Sequence, residues 1–332
     1  MHELATLLHR LLDRRTYPAV LATLVSVAGS SYRRAGARLL IDATGERLGS
    51  ISGGCLEEDV RTHAAEIVRT GQPKVVTYDT TSENDLVWGV GLGCHGVVDV
   101  FLENLSAPPA WATILQRNLE HRHTTDLAVV WRADDPAQLG TRLASELPDV
   151  TGGAGVFRQT LHPPPALYVF GAGDDAQPLV QLAKVLGWQV IVADPRAEFA
   201  TPDRFPTADR LVVAPAARLV EPCAPPADAC AVVMTHRYVH DVPILKQLFA
   251  RTLNYVGLLG PKKRATRILA DLANEGVHPI PQRLGRFHAP VGLDLGADSP
   301  QEVALSIVAE IQASLGGRDA RPLREREKPI HG

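Results

Sequence analysis

Two rhythms of apolar and polar positions run along the chain. Residues 3–14 carry apolar side chains at helical spacing and end in basic residues, which suit a helix C-terminus. Residues 19–27 (AVLATLVSV) form a nearly unbroken apolar run and predict a buried strand. Residues 37–41 predict a second strand, followed by a turn at Thr44-Gly45, and 56–69 return to a helical pattern. Residues 74–78 and 96–103 predict further strands. From 111 to 160 the pattern weakens to a helix over 111–121, a short strand over 126–131 and a polar stretch containing Gly152-Gly153-Ala154-Gly155. His162-Pro163-Pro164-Pro165 predicts a stiff extended connector, and a domain boundary is placed there.

Beyond the connector the alternation becomes regular. Residues 166–170 read as a buried strand, Gly171-Ala172-Gly173-Asp174-Asp175-Ala176 as a turn, the stretch through Leu186 as a helix, and 189–193 as a second strand ending on Asp194. Strand, G-x-G-x-x-A turn, helix, strand and terminal acid together are the dinucleotide-binding fingerprint in its structural context. In that pattern Gly171 and Gly173 allow the turn, Ala176 permits close helix–strand packing, and Asp194 would accept hydrogen bonds from an unphosphorylated ribose. Asp174 and Asp175 sit where a pyrophosphate would lie, and carboxylate and phosphate repel. Short strands follow at 210–213 and 231–234, the latter carrying Thr235-His236 at its C-terminal end, where open α/β sheets bind ligands. A helix over 241–250, a strand over 255–260 and a helix opened by Pro261-Lys262-Lys263-Arg264 continue the series. Ser299, Pro300 and Glu302 form a capping box for a last helix. The predicted fold class is α/β: an N-terminal mixed α/β domain over 1–160, a Rossmann-type doubly wound parallel-sheet domain over 166–315, and a polar tail over 316–332.

Composition narrows the class without naming a function. Apolar residues make up 45% and charged residues 21%, ordinary for a soluble globular protein. The net charge of −3, with no basic run, gives no electrostatic footprint for nucleic acid. No apolar run approaches about 18 residues, so no membrane span is expected. No secretory signal is expected either, and a cytoplasmic location follows. The four cysteines, Cys55, Cys94, Cys223 and Cys230, have no CxxC spacing, which argues against structural zinc. Cys223 and Cys230 read as incidental.

The chemistry gathers in the N-terminal half. Gly49-Ser50-Ile51-Ser52-Gly53-Gly54-Cys55-Leu56 is a Gly-rich loop opening a helix, a setting that exposes backbone N–H groups to an anion and places a thiol at the mouth. Gly89-Val90-Gly91-Leu92-Gly93-Cys94-His95-Gly96 echoes it. One Gly-flanked cysteine is as readily a small residue in a tight turn; two in one domain point toward function. Gly29-Ser30-Ser31-Tyr32-Arg33-Arg34 reads either as a solvated turn or as an oxyanion-binding rim beside the Cys55 loop. His288-Ala289-Pro290-Val291-Gly292-Leu293-Asp294-Leu295-Gly296 is a further loop with one histidine and one acid.

These segments, taken together over about residues 17–314, resemble the XdhC/CoxI family, the accessory factors for xanthine dehydrogenase and related molybdenum hydroxylases. The resemblance implies a chaperone that binds the molybdenum cofactor (molybdopterin) as cargo, supports its sulfuration and hands it to a molybdenum hydroxylase apo-enzyme. The first reading is such a binding and insertion factor without turnover of its own, and no catalytic residue and no metal-ligand set is assigned. Molybdopterin carries a dithiolene-bound metal, which a soft thiolate suits, and a phosphate, which Gly-rich loops and arginines suit. The implied contacts are Cys55, Cys94 and His95 on the metal or sulfur side, Gly53 and Gly54 as backbone donors, and Arg33 or Arg34 as a phosphate clamp. His236, His288 and Asp294 would line the same cleft, between the domains. The chain departs from the family pattern at Asp174, where relatives often carry histidine, and at Tyr238, where a second histidine often stands. Two other readings remain: an NAD(P)-dependent oxidoreductase using Asp194 and His236, and a sulfur carrier in which Cys55 takes a persulfide from a cysteine desulfurase. Whether the protein forms a homo-oligomer is left open.

Overall fold

In the computed structural model the described residues are 2–79, 96–147, 155–277 and 286–327. The chain divides into two compact units that meet in sequence at Pro163 and Pro164.

The long apolar run of the N-terminal unit becomes β1 (Ala19–Gly29), the middle of an antiparallel five-stranded sheet. Its neighbours are β2 (Arg38–Ile41), β3 (Arg47–Gly49), β4 (Lys74–Asp79) and β5 (Gly96–Leu105), in the order β3-β2-β1-β5-β4. Side chains alternate across a strand, so β1 feeds two cores. Val20, Ala22 and Leu24 pack with Leu56, Val60, Ala64 and Ile67, the apolar stripe of α2 (Glu57–Thr70). Ala19 and Leu21 face the other way, onto α1 (His2–Leu12) and α3 (Ala110–Glu120). A second antiparallel sheet covers the same side, with β6 (Thr125–Arg132) between β7 (Gly140–Leu143) and β8 (Gly155–Leu161). The weak patterning of that region hid β7 and β8, whose residues are mostly half-buried rather than clearly alternating.

Polar groups tie the two sheets. Arg38 of β2, buried, donates through Nη1 to Gln159 Oε1 of β8 at 2.9 Å, and Glu103 of β5 accepts from the Thr141 N–H of β7 at 2.9 Å. Burial pushes the Arg38 guanidinium down to about 10, with the Glu103 charge opposing that shift.

Register decides where the loops go. Leu39 pairs with Gly49, Thr23 with Arg38, and Gly29 with Gly96. The end of β1, the start of β2, the end of β3 and the start of β5 therefore share one end of the sheet. The loop of Tyr32, Arg33 and Arg34 and the loop of Gly53, Gly54 and Cys55 both leave from it.

The C-terminal unit is a parallel sheet. It comprises β9 (Ala166–Phe170), β10 (Gln189–Asp194), β11 (Arg210–Val213), β12 (Cys230–Val233), β13 (Tyr255–Leu258) and β14 (Phe287–His288), in the order β11-β10-β9-β12-β13-β14. Counted from β9 this is the 3-2-1-4-5-6 order of the doubly wound dinucleotide-binding fold, with its switch point between β9 and β12. Both faces of the central strands are covered, so β9, β12 and β13 are buried along their whole length. Leu167 and Val169 of β9 pack with α4 (Ala176–Val185) on one face. Ala166, Tyr168 and Phe170 pack on the other face with α6 (Tyr238–Phe249) and α7 (Lys262–Asn274); the short α5 (Val220–Cys223) precedes them in sequence. The closing helix α8 (Pro300–Leu315) joins α4, with the Ser299/Glu302 capping box in place. No helix among the described residues is long and apolar enough to cross a membrane.

Gly171 makes the turn after β9 possible. Its φ is +122°, and a Cβ there would lie 2.5 Å from the Met234 carbonyl oxygen. Gly171→Ala combines a left-handed backbone with a backbone clash. Its expected cost is about 1–3 kcal/mol, read as a fall in the midpoint of denaturant unfolding.

Candidate functional site

The Cys55 loop is held from within by a buried carboxylate. Glu57, at the first position of α2, accepts from Ser50 Oγ at 2.9 Å, the Ile51 N–H at 3.2 Å, the Ser52 N–H at 2.9 Å and the Ser52 hydroxyl. The Ser52 oxygen in turn accepts from the N–H groups of Gly54, Cys55 and Leu56, each at 3.1 Å. Burial alone would push the Glu57 carboxyl up. The hydrogen bonds from the Ser52 side chain and backbone and from Ser50 outweigh it and hold the group below the ordinary glutamate range. The side chain that fixes this loop is thus an acid read in the sequence only as part of a helix. Its signal was the carboxylate placed just after Gly-Gly-Cys-Leu, where a helix start leaves donors to satisfy.

That network changes what the loop offers. The Gly54 N–H, expected to face an anion, points at Ser52 Oγ. Gly54 is still the hinge, with φ +110°. Cys55 is exposed, whereas Cys223 and Cys230 are buried, and burial pushes their thiols up to about 11 and about 12. Tyr32, 66% exposed, lies over the loop, its ring 3.7–3.8 Å from where a Cβ on Gly53 would stand. This aromatic was visible in the sequence as the one ring among hydroxyls and arginines. The Arg33 guanidinium is engaged by Glu3 of α1 at 2.6 Å, and the other Glu3 oxygen accepts the Ser50 N–H at 3.1 Å. Arg34 is exposed on the same loop. Arg33, Arg34, Gly53, Gly54 and Cys55 are therefore brought together at one sheet end. Cys94 and His95 lie outside the described residues.

In the C-terminal unit, Gly171, Gly173, Ala176, Asp194 and His236 gather at the switch point. Asp194, expected to meet a ribose, is engaged within the protein. The residue is wholly buried, and its oxygens are spent on the Ala172 N–H (2.7 Å) and on the N–H, Nε and Nη2 of Arg196 (2.8–2.9 Å). Burial raises its pKa, but these donors outweigh it and keep the carboxyl below the usual aspartate range. In this arrangement Asp194 braces the turn.

The two acids of the turn also have partners. Asp174 binds Arg204 at 2.9 Å, and Arg204 also holds the Ala172 carbonyl at 3.0 Å. Asp175 meets His236 Nε2 at 2.6 Å across the β9–β12 junction. His236 has φ +59°, a conformation rarely adopted by a side-chain-bearing residue. Next to it, Asp241 is fully buried between Thr235 Oγ1 and the Arg264 guanidinium.

His288 and Asp294 do not join this group through any described hydrogen bond. The His288 ring stacks on Tyr255 at 4.4 Å and its Nδ1 lies 3.2 Å from Glu310 of α8, which also accepts from Tyr255 and from the Gly292 N–H. Asp294 is exposed. Among the described residues no cluster of three or more His, Cys, Asp or Glu could hold a metal ion.

Comparison with known proteins is consistent with both units. The profile of the XdhC Rossmann domain matches residues 167–311, and that of the XdhC and CoxI family matches 12–79. A Bacillus subtilis (strain 168) protein, named as a probable component of xanthine dehydrogenase, is 38% identical over 92% of this chain and 96% of its own. The Escherichia coli (strain K12) molybdenum cofactor insertion chaperone PaoD is 25% identical over 88% of this chain and 82% of its own. A crystal structure described as a xanthine dehydrogenase from Bacillus halodurans superimposes with a TM-score of 0.79 at 30% identity, covering 97% of this chain and 99% of that one.

Two outcomes follow from the geometry. Ser52→Ala removes the acceptor for three loop N–H groups and a donor to Glu57. Its expected cost is about 1–3 kcal/mol, measured by denaturant unfolding. The second concerns pH. The hydrogen bond that the His236 ring donates to the Asp175 carboxylate holds the His236 pKa above its ordinary 6.5, against the opposing effect of burial. The stability contributed by the charged pair is then fully present below pH 6.5 and lost as pH rises through the raised folded value. The melting temperature of Asp175→Asn should approach that of the unsubstituted protein as pH rises through this window; a constant gap across it would refute the pairing.

Proposed function

This chain belongs to the XdhC and CoxI family, and on that premise we propose that it binds the molybdenum cofactor as cargo, supports its maturation and passes it to the apo form of a molybdenum hydroxylase. The observation that carries the reading is the loop cluster at one end of the N-terminal sheet. An exposed thiol (Cys55), an exposed aromatic face (Tyr32 over Gly53) and an arginine already holding a carboxylate (Arg33) lie on two adjoining loops. Each answers one part of the cargo: the thiol its metal and sulfur end, the ring its flat pterin, the guanidinium its phosphate. The names of relatives point the same way, one tied to xanthine dehydrogenase and one to insertion of the molybdenum cofactor.

The chain's own contribution is positioning. The Glu57–Ser52 network fixes the loop backbone, so Cys55 is presented without having to be ordered at binding. A preformed loop lowers the entropy cost of association. Cys55 is also the accessible thiol among the described cysteines, which suits receipt of sulfur from a cysteine desulfurase. Such a thiol stays reduced in the cytoplasm, the compartment this role requires. The oxidoreductase reading loses its ribose anchor with Asp194 buried, and the paired acids Asp174 and Asp175 occupy the pyrophosphate turn.

The test is equilibrium binding of molybdenum cofactor to the unsubstituted protein and to Cys55→Ala, with NAD and NADP titrated in parallel. The expected result is cofactor binding weakened about tenfold or more in the variant, a loss of at least about 1.4 kcal/mol, with no saturable nucleotide binding. Nucleotide binding without cofactor affinity would overturn the proposal.

A further inference from the structure

Glu3 sits in the first turn of α1, yet its carboxylate reaches over to the candidate site. Oε2 accepts from Arg33 Nη2 at 2.6 Å and Oε1 from the Ser50 N–H at 3.1 Å. Oε1 also lies 3.6 Å from the position a Cβ on Gly49 would take, so the carboxylate rests against a stretch of backbone kept bare by a glycine at φ +89°. One carboxylate thus spans the Tyr32–Arg34 loop and the Cys55 loop.

As a stabilising ion pair the contact has little to offer, because both side chains are partly exposed, at 43% and 32%, and exposed pairs contribute little. As a donor set it is informative. A guanidinium edge plus a loop N–H is how proteins hold a tetrahedral oxyanion. Here a side-chain carboxylate from the same chain fills that arrangement, beside the exposed Tyr32 ring and the exposed Cys55 thiol.

We infer that Glu3 is a built-in stand-in for a phosphate monoester, and that the first turn of α1 is a latch which the incoming phosphate displaces from Arg33 and Ser50. The inference rests on the reading of the protein as a cofactor carrier, since it assigns the seat to the phosphate of that cargo. The latch gives an empty carrier a neutralised arginine and two loops held together; loading exchanges one anion for another, with no covalent step. Release to a client is the reverse exchange, Glu3 competing for the seat as the phosphate leaves. A ligand that must displace an internal competitor binds more weakly by the fraction of protein in which the seat is open.

The experiment compares the unsubstituted chain, Glu3→Gln and the double variant Glu3→Gln with Arg33→Ala, each titrated with inorganic phosphate and, separately, with molybdenum cofactor. Removing the charge of Glu3 while keeping its shape should tighten both ligands by about fivefold, the worth of an exposed ion pair, and the added Arg33→Ala should abolish the gain. Amide hydrogen exchange in α1 gives a readout independent of affinity. Phosphate should speed exchange of the first amides of α1 that the helix protects, from Thr6 on, in the unsubstituted chain and leave Glu3→Gln unchanged. Equal or weaker binding of both ligands by Glu3→Gln overturns the latch and makes Glu3 a brace. A gain for phosphate alone, with cofactor affinity unchanged, overturns its assignment to the cargo. Tight cofactor binding with no gain for either ligand in Glu3→Gln sinks the latch and leaves the carrier function standing. No cofactor binding by any variant, with the phosphate gain intact, sinks the carrier function instead and leaves an anion latch.

Discussion

Backbone N–H groups in a buried loop need acceptors, and in each unit of this protein a buried carboxylate supplies them. Glu57 collects Ser50, Ile51 and Ser52, and through the Ser52 hydroxyl it fixes Gly54, Cys55 and Leu56. Asp194 collects Ala172 and Arg196 at the turn after β9. Both carboxyls are held below their ordinary range by these donors in spite of burial. The loops that carry the exposed chemistry are braced by the hydrogen bonds of the carboxylates beneath them.

The two sites then differ in what they leave outside. In the N-terminal unit the network leaves a thiol and an aromatic ring exposed, with an arginine tied to a surface glutamate. In the C-terminal unit the acids that face the switch point are already paired, Asp175 with His236 and Asp174 with Arg204. The dinucleotide-binding topology is complete, and the acids of its phosphate turn are paired with Arg204 and His236. A widely reused fold does not by itself fix a ligand.

Much of this was legible in the residues. The apolar run of β1, the strand–turn–helix–strand fingerprint after Pro165 and the Ser299/Glu302 capping box each express a local preference strong enough to survive into the structure. Weaker patterns were not legible: β7 and β8 are half-buried along most of their length, so no alternation marks them, and α6 begins at Tyr238, earlier than its apolar spacing announced. At the sites, sequence singled out Cys55, Arg33 and the glycines because unusual residue types stand together there. The hydrogen bonds of Asp194 to Ala172 and Arg196 were not legible, since an acid ending a strand looks the same whether it faces a ribose or a backbone amide.

By itself, then, the sequence determined the fold class, the order of the strongly patterned elements and the loops that carry reactive side chains, because periodicity, turn residues and capping are properties of short segments. Tertiary structure alone decided which donors remain available. Glu57 meets Ser52 across a loop, Asp175 meets His236 across 61 positions, and Glu3 reaches Ser50 across 47. Whether an acid is a ligand partner or a brace depends on what register and packing bring within about 3 Å of it, and that distance is not written in any local pattern.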